Sequence, residues 1–348
     1  MKTDEKLNFA CDYMEGAHPA ILEKMQETNW LKTAGYGLDE FSESAREKIR
    51  KACNCPDAEV YFMTGGTQTN AVVIDAFLQS YQGVIASDTG HISVHEAGAI
   101  EFGGHKVLPI PHHFGKISAA QIQTYMEDFI KDANHDHMVM PGLVYLSQPT
   151  EYGTLYSLEE MTQISTVCSK YHIPLYVDGA RLAYALASSR NDVTLEDMAR
   201  LCDAFYIGGT KCGALFGEAV VIPKPNRLPH FFTIMKQHGA LFAKGRMLGI
   251  QFDVLFTDNL YQRIGIPAVE LAAKIQTVFQ EASIKPMIET ETNQVFLIIE
   301  NSKMEELSKK VEFGFWEKYD QNHTIIRLAA SWATKEEEVA LLRKYVSE

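Results

Sequence analysis

The chain has 348 residues, 46% hydrophobic and 22% charged, with 32 Lys plus Arg against 45 Asp plus Glu for a net charge of −13. A chain of this size buries a core without disulfide or metal staples, and at roughly 100 to 200 residues per domain it suggests two domains. The acidic balance argues against nucleic-acid and anionic-membrane partners, because a polyanion meets a repulsive field, and it fits a small-molecule enzyme.

The opening stretch MKTDEKLNFACDYMEG has no apolar signal-peptide core, and no run approaches the ~18 apolar residues of a membrane span. The six cysteines, Cys11, Cys53, Cys55, Cys168, Cys202 and Cys212, are too sparse for a secreted disulfide framework. A cytoplasmic protein with reduced thiols is expected.

In chain order, residues 1–50 show helical stretches around Pro19 to Glu27 and Ser42 to Ala52, expected to pack on a later domain or on a neighbouring subunit. Within 51–264 the β-prone runs AEVYFM, VIASD, HKVLPI, LVYLSQ, PLYVD, AFYIGG and AVVI alternate with helical patterns, which predicts an α/β domain with a mostly parallel sheet flanked by helices. Leu158, Met161, Ile164 and Cys168 form the apolar stripe of one such helix. Over 265–348 the order helix, strand, helix, strand, helix predicts a smaller α+β C-terminal domain.

Several familiar motifs are missing. There is no GxGxxG, no Walker A loop around Lys211 and no HExxH at His95 and Glu96. Cys53 with Cys55, and His135 with His137, lack a plausible ligand set, so no metal site is expected.

Three segments carry chemistry. Thr64 to Asn70 is a Gly- and hydroxyl-rich turn between a strand and a helix, able to cradle a phosphate on backbone N–H groups, or else an ordinary turn with a Thr N-cap. Asp178 ends an apolar strand, where open α/β sheets bind ligands, although it could simply cap the next helix. Lys211 sits in Gly208-Gly209-Thr210-Lys211-Cys212-Gly213, where small neighbours allow close approach; it reads as a solvated turn lysine or as a desolvated Schiff-base amine.

In this order the three resemble the threonine aldolase and β-eliminating lyase family of pyridoxal-phosphate enzymes, with the aspartate-aminotransferase fold (fold type I). The matching segments are Tyr36 to Asp39, Gly66 to Asn70, His91 to Gly98, Val177 to Leu182, Thr210-Lys211 and Arg327 to Trp332. The resemblance implies Gly66 and Thr67 as phosphate contacts, His91 stacked on the pyridine face, Asp178 on the ring nitrogen, and Lys211 as the lysine that links pyridoxal 5'-phosphate. It makes Arg181 and Arg327 candidates for the substrate carboxylate, with Arg181 also close to the cofactor. His91 or a bound water is the implied base, and Glu96 either orients His91 or lies idle on a helix face.

This chain departs from the family where Ala10-Cys11-Asp12-Tyr13 replaces the usual Arg-Ser-Asp-Thr, putting Cys11 in the place of a carboxylate-binding Ser. The flanks of Lys211 also differ from the family's Leu-Ser and Gly-Leu-Gly. Lys236, Lys244 and Arg246 fall where the family places basic residues that reach a neighbouring subunit's phosphate. The implied activity is cleavage of L-threonine, L-allo-threonine or a similar β-hydroxy-α-amino acid to glycine and an aldehyde, by a homodimer or homotetramer with shared sites. β-Elimination from an amino acid is the alternative within the same chemistry, and a non-catalytic cofactor-binding regulator is the alternative outside it.

Overall fold

A computed structural model describes residues 6–347, so residues 1–5 at the start of the expected N-terminal segment lie outside the described residues. The strands are β1 (Leu7–Asn8), β2 (Glu59–Met63), β3 (Gln82–Ser87), β4 (Lys106–Ile110), β5 (Met140–Ser147), β6 (Leu175–Asp178), β7 (Ala204–Gly208), β8 (Glu218–Ile222), β9 (Lys285–Pro286), β10 (Gln294–Glu300), β11 (Val311–Glu312), β12 (Gly314–Lys318) and β13 (His323–Ala329). The large sheet has the order β2-β8-β7-β6-β5-β3-β4. Its β3–β4, β3–β5, β5–β6 and β6–β7 pairings are parallel, whereas β8 runs antiparallel to both β2 and β7. Every strand but β8 therefore points the same way.

The central strands β6 and β7 are buried along their whole length, as expected where helices cover both faces. Alternation divides their side chains: Leu175, Val177, Phe205 and Ile207 pack into one apolar layer, and Tyr176, Ala204 and Tyr206 into the other. The expected amphipathic helix is Leu158–Lys170, opened by a capping box between Ser157 and Glu160 and burying Met161, Ile164 and Cys168. All six thiols are free.

The C-terminal sheet has the order β12-β13-β10-β9 and is antiparallel. Of its strands, β10 and β13 are legible as runs of Val, Ile and Leu. The pattern misses β12 because its side chains stay half or fully exposed, and it misses β9 because two residues carry no period. The N-terminal segment is spread over both regions: β1 pairs parallel with β11, and Lys48 on the helix Glu40–Ala52 bridges to Asp253 on the helix Arg246–Leu255 at 2.5 Å.

Candidate active site

The carboxyl ends of β2, β3, β5, β6 and β7 share one edge of the large sheet. Because β8 runs the other way, its first residue, Glu218, arrives there too. Loops leaving parallel strands diverge at this edge and open a crevice.

After β2, the Thr64 hydroxyl donates to Gln68 Oε1 at 2.7 Å and does not cap the helix. Gly65 takes the N-cap position of the helix Gly66–Phe77 without a side-chain cap. No atom lies within 4 Å of a Cβ built on Gly65, so the turn is an open cradle. Its first-turn N–H groups face it, with Thr67 exposed beside them, which suits an anion.

Asp178 is buried at the end of β6. Its Oδ2 accepts from the Tyr145 hydroxyl at 2.7 Å and Asn70 Nδ2 at 3.1 Å, and its Oδ1 accepts from the Ala180 N–H at 2.9 Å. Burial alone would raise this carboxyl; His91, the Tyr206 and Tyr145 hydroxyls and the Ala180 N–H outweigh it and hold the group below its ordinary value. A permanent buried anion at a cavity wall fits a protonated ring nitrogen. Asn70 also donates to Glu96 Oε1 at 2.7 Å, and the same oxygen meets His91 Nδ1 at 2.7 Å. Glu96 therefore orients His91 and ties it to Asp178 through Asn70.

Lys211 lies in the turn between β7 and β8, with its carbonyl accepting from the Tyr184 hydroxyl. Burial pushes its amine down and Arg181 adds to the effect, against Asp12, Asp178 and Glu218. The lowering favours the neutral, nucleophilic form of the amine, so the burial is chemically useful. Glu218, beside it, accepts from Thr210 Oγ1 at 2.7 Å and the Gly209 N–H at 3.0 Å, yet burial lifts its carboxyl to about 8.

Arg181 donates from Nε and Nη2 to Asp12 at 2.6 and 3.0 Å, and Asn293 donates to the same carboxylate at 2.8 Å. This buried fork holds Arg181 in place at the cavity wall and leaves Nη1 outside the pair. Arg327, on β13, donates from Nη2 to the Ala10 carbonyl at 2.9 Å and from Nη1 to Gln294 at 3.3 Å, while its buried Nε has no partner. Its guanidinium lies 5.9 Å from the Trp316 ring centre. Cys11 is half-buried next to this contact.

A cavity of about 250 Å³ connects Gly66, Thr67, Asp178, Lys211 and Glu218. A second of about 450 Å³ is lined by Arg327, Tyr152, Trp316 and His95. His91, Arg181 and Lys211 line both. The structure thus brings together Gly66, Thr67, His91, Asp178, Arg181, Lys211 and Arg327.

It does not bring Lys236, Lys244 or Arg246 to this crevice. Lys236 lies 4.5 Å from the Tyr36 ring centre, Lys244 is exposed, and Arg246 donates to the carbonyls of Leu31 and Asn29. Asp12, Glu151 and Glu218 are site groups that sequence reading passes over. Glu151 follows β5 at the same sheet edge, so the strand-end rule that selects Asp178 could have flagged it.

Fold and site together define an aspartate-aminotransferase-like protein of fold type I. A solved aspartate aminotransferase from Thermus thermophilus shares this architecture with a TM-score of 0.71 over 98% of this chain and 91% of its own, at 13% identity. The chain belongs to the β-eliminating lyase family, whose profile matches residues 8–302. Among its relatives, the low-specificity L-threonine aldolase of Pseudomonas sp. (strain NCIMB 10558) is 30% identical over 97% of this chain and 96% of its own length. The solved threonine aldolase of Leishmania major is 41% identical, covers 98% of both chains and superposes with a TM-score of 0.94.

Proposed function

We propose that the chain is a pyridoxal-phosphate-dependent aldolase that cleaves L-threonine, L-allo-threonine or a similar β-hydroxy-α-amino acid to glycine and an aldehyde. The observation that carries this reading is one crevice containing an open anion cradle, a buried ionised Asp178, a desolvated Lys211 and two guanidiniums. The donor set matches the cofactor group by group: Gly66 and Thr67 for its phosphate, Asp178 for its ring nitrogen, His91 for its ring face and Lys211 for its aldehyde. When bound, the pyridinium supplies an electron sink for a bond broken at Cα.

The chain's own residues do the rest. Arg327, with the free edge of Arg181, holds the substrate carboxylate and so decides which Cα bond stands perpendicular to the ring. Asp178 stays charged and keeps the ring nitrogen protonated. Glu96 fixes the tilt of His91, which would cover the ring face of the bound cofactor. Tyr152 and Trp316 wall the space that the β-substituent enters.

Lys236, Lys244 and Arg246 lie close to the exposed Phe232 and Phe242, on segments that touch the N-terminal stretch exposing Trp30, Leu31, Tyr36 and Leu38. That apolar face supports a homodimer or homotetramer in which these cations reach the partner's crevice. Among the described residues no helix is long and apolar enough to cross a membrane. The sparse cysteines support a cytoplasmic location with reduced thiols as part of this reading.

The test is direct. Protein purified with the cofactor should absorb in the visible and release acetaldehyde and glycine from L-threonine, and Lys211→Ala should abolish both while staying folded. Ammonia and an oxo acid as the products would instead mark an eliminating lyase. Borohydride trapping of the cofactor on another lysine would overturn the placement of Lys211.

A further inference from the structure

Cleavage of a β-hydroxy-α-amino acid needs a group that takes the β-hydroxyl proton where the two cavities meet. Five side chains line both cavities: Tyr13, His91, Glu151, Arg181 and Lys211. Arg181 is a cation held by Asp12, and Lys211 is the amine of the crevice. His91 has its Nδ1 on Glu96 and is bound into the network that ends on Asp178. Tyr13 is 55% exposed and has no acidic character at neutral pH. Glu151 is the one carboxylate of the five.

Its setting is built. Glu151 is 7% exposed, and no described Lys, Arg or His side chain forms an ion pair with it. Its Oε1 accepts from the His91 backbone N–H at 2.8 Å and from the Ser147 hydroxyl at 2.7 Å. Both donors are fixed by the sheet edge, Ser147 as the last residue of β5 and His91 in the turn after β3, and both hold the same oxygen. Oε2 takes part in none of these bonds.

We propose that Glu151 is the catalytic proton acceptor of the aldol cleavage, a reading that rests on the function proposed above. The β-hydroxyl proton would move to Oε2, the O–H pair would become the new C=O bond of the aldehyde, and the Cα–Cβ pair would be left at Cα, where the cofactor held by Asp178 and Lys211 would supply the electron sink. Solvent then removes the proton from Glu151, and a solvent proton completes glycine at Cα. Burial raises the Glu151 carboxyl and Asp178 adds to the effect, against the Ser147 bond and His91, while Arg181 faces it from the next turn. The base form therefore grows as pH rises through this group, giving an acid limb in kcat.

Wild-type protein and Glu151→Gln, both loaded with pyridoxal phosphate, are compared for acetaldehyde release from L-threonine across the acid-to-alkaline range. Glycine binding is followed by absorbance, and solvent exchange of the glycine α-hydrogen by proton NMR in D2O. The cofactor-free proteins are titrated by infrared difference for a protonated carboxyl that only the wild type carries. The expected result is a kcat loss of at least about a hundredfold with the acid limb gone, glycine binding and α-exchange retained, and partial recovery in Glu151→Asp.

Cleavage by Glu151→Gln within threefold of wild type, an unchanged acid limb, or loss of glycine binding and exchange together with cleavage would each overturn the assignment. An inactive wild type would overturn the aldolase reading itself, and this inference with it. The infrared titration stands apart from turnover: a wild-type carboxyl with no titrating difference from Glu151→Gln counts against the assignment.

Discussion

Asp178 has to stay ionised without water, and donors from three parts of the chain make that possible: Asn70 after β2, Tyr145 on β5 and the Ala180 N–H. Asp178→Asn keeps the shape and removes the charge, so kcat should fall by orders of magnitude while the cofactor stays bound through its phosphate. Wild-type turnover in that variant, with absorbance showing a loaded site, would take Asp178 out of the mechanism. Arg327 lines the larger cavity, and its planar fork is held by the Ala10 carbonyl and Gln294. Lysine cannot reproduce that fork. Losing a charged hydrogen bond costs about 1.5 to 3 kcal/mol, so kcat/KM of Arg327→Lys with threonine should drop roughly tenfold or more. If kcat/KM is unchanged, the carboxylate is left to Arg181.

Adjacent strands deliver the two central groups, Asp178 from β6 and Lys211 from the turn after β7, and glycine sets how closely they approach. A Cβ on Gly208 would stand 2.3 Å from the Ala180 carbonyl oxygen, and one on Gly179 would stand 2.0 Å from that of Tyr206. Neither contact can be relieved by a side-chain rotation, because both are backbone. Gly208→Ala should therefore cost about 1 to 3 kcal/mol, lower the Tm by at least about 2 °C, and weaken cofactor binding as the strand ends part. Thermal unfolding and cofactor titration check it; a variant matching wild type in both would show that the strand ends yield freely. The helix Ile266–Glu281 begins immediately after Gly265, where we propose that the C-terminal domain starts.

Taken as a whole molecule, the chain leaves Trp30 91% and Leu38 67% exposed, an arrangement that water disfavours unless a partner covers it. The segments carrying them touch those that bear Lys236, Lys244 and Arg246, so a covered face would place these cations against another copy. Sedimentation velocity should give a mass that is a multiple of 39.1 kDa. Trp30→Glu with Leu38→Glu should shift it toward the monomer and lower cofactor retention. A monomeric wild type with full cofactor binding would dismiss the shared site.

The amino-acid sequence by itself determined the seven strands of the large sheet, the open Gly65-Gly66 turn, the strand-end Asp178 and the Gly-flanked Lys211. These features are local: alternation, small residues and strand ends are written in consecutive positions. The tertiary structure alone decided the rest. Asp12 holds Arg181 across 169 positions, and Asn293 completes the contact from the C-terminal region. Arg327 reaches the crevice because the Ala10 carbonyl draws β13 against the N-terminal segment. Glu218 enters at its amino end because β8 runs antiparallel, and the four-position spacing of Ser147 and Glu151 becomes meaningful only when the turn after β3 supplies the His91 N–H. Buried charges need partners, and those partners come from whichever distant segment the fold brings alongside.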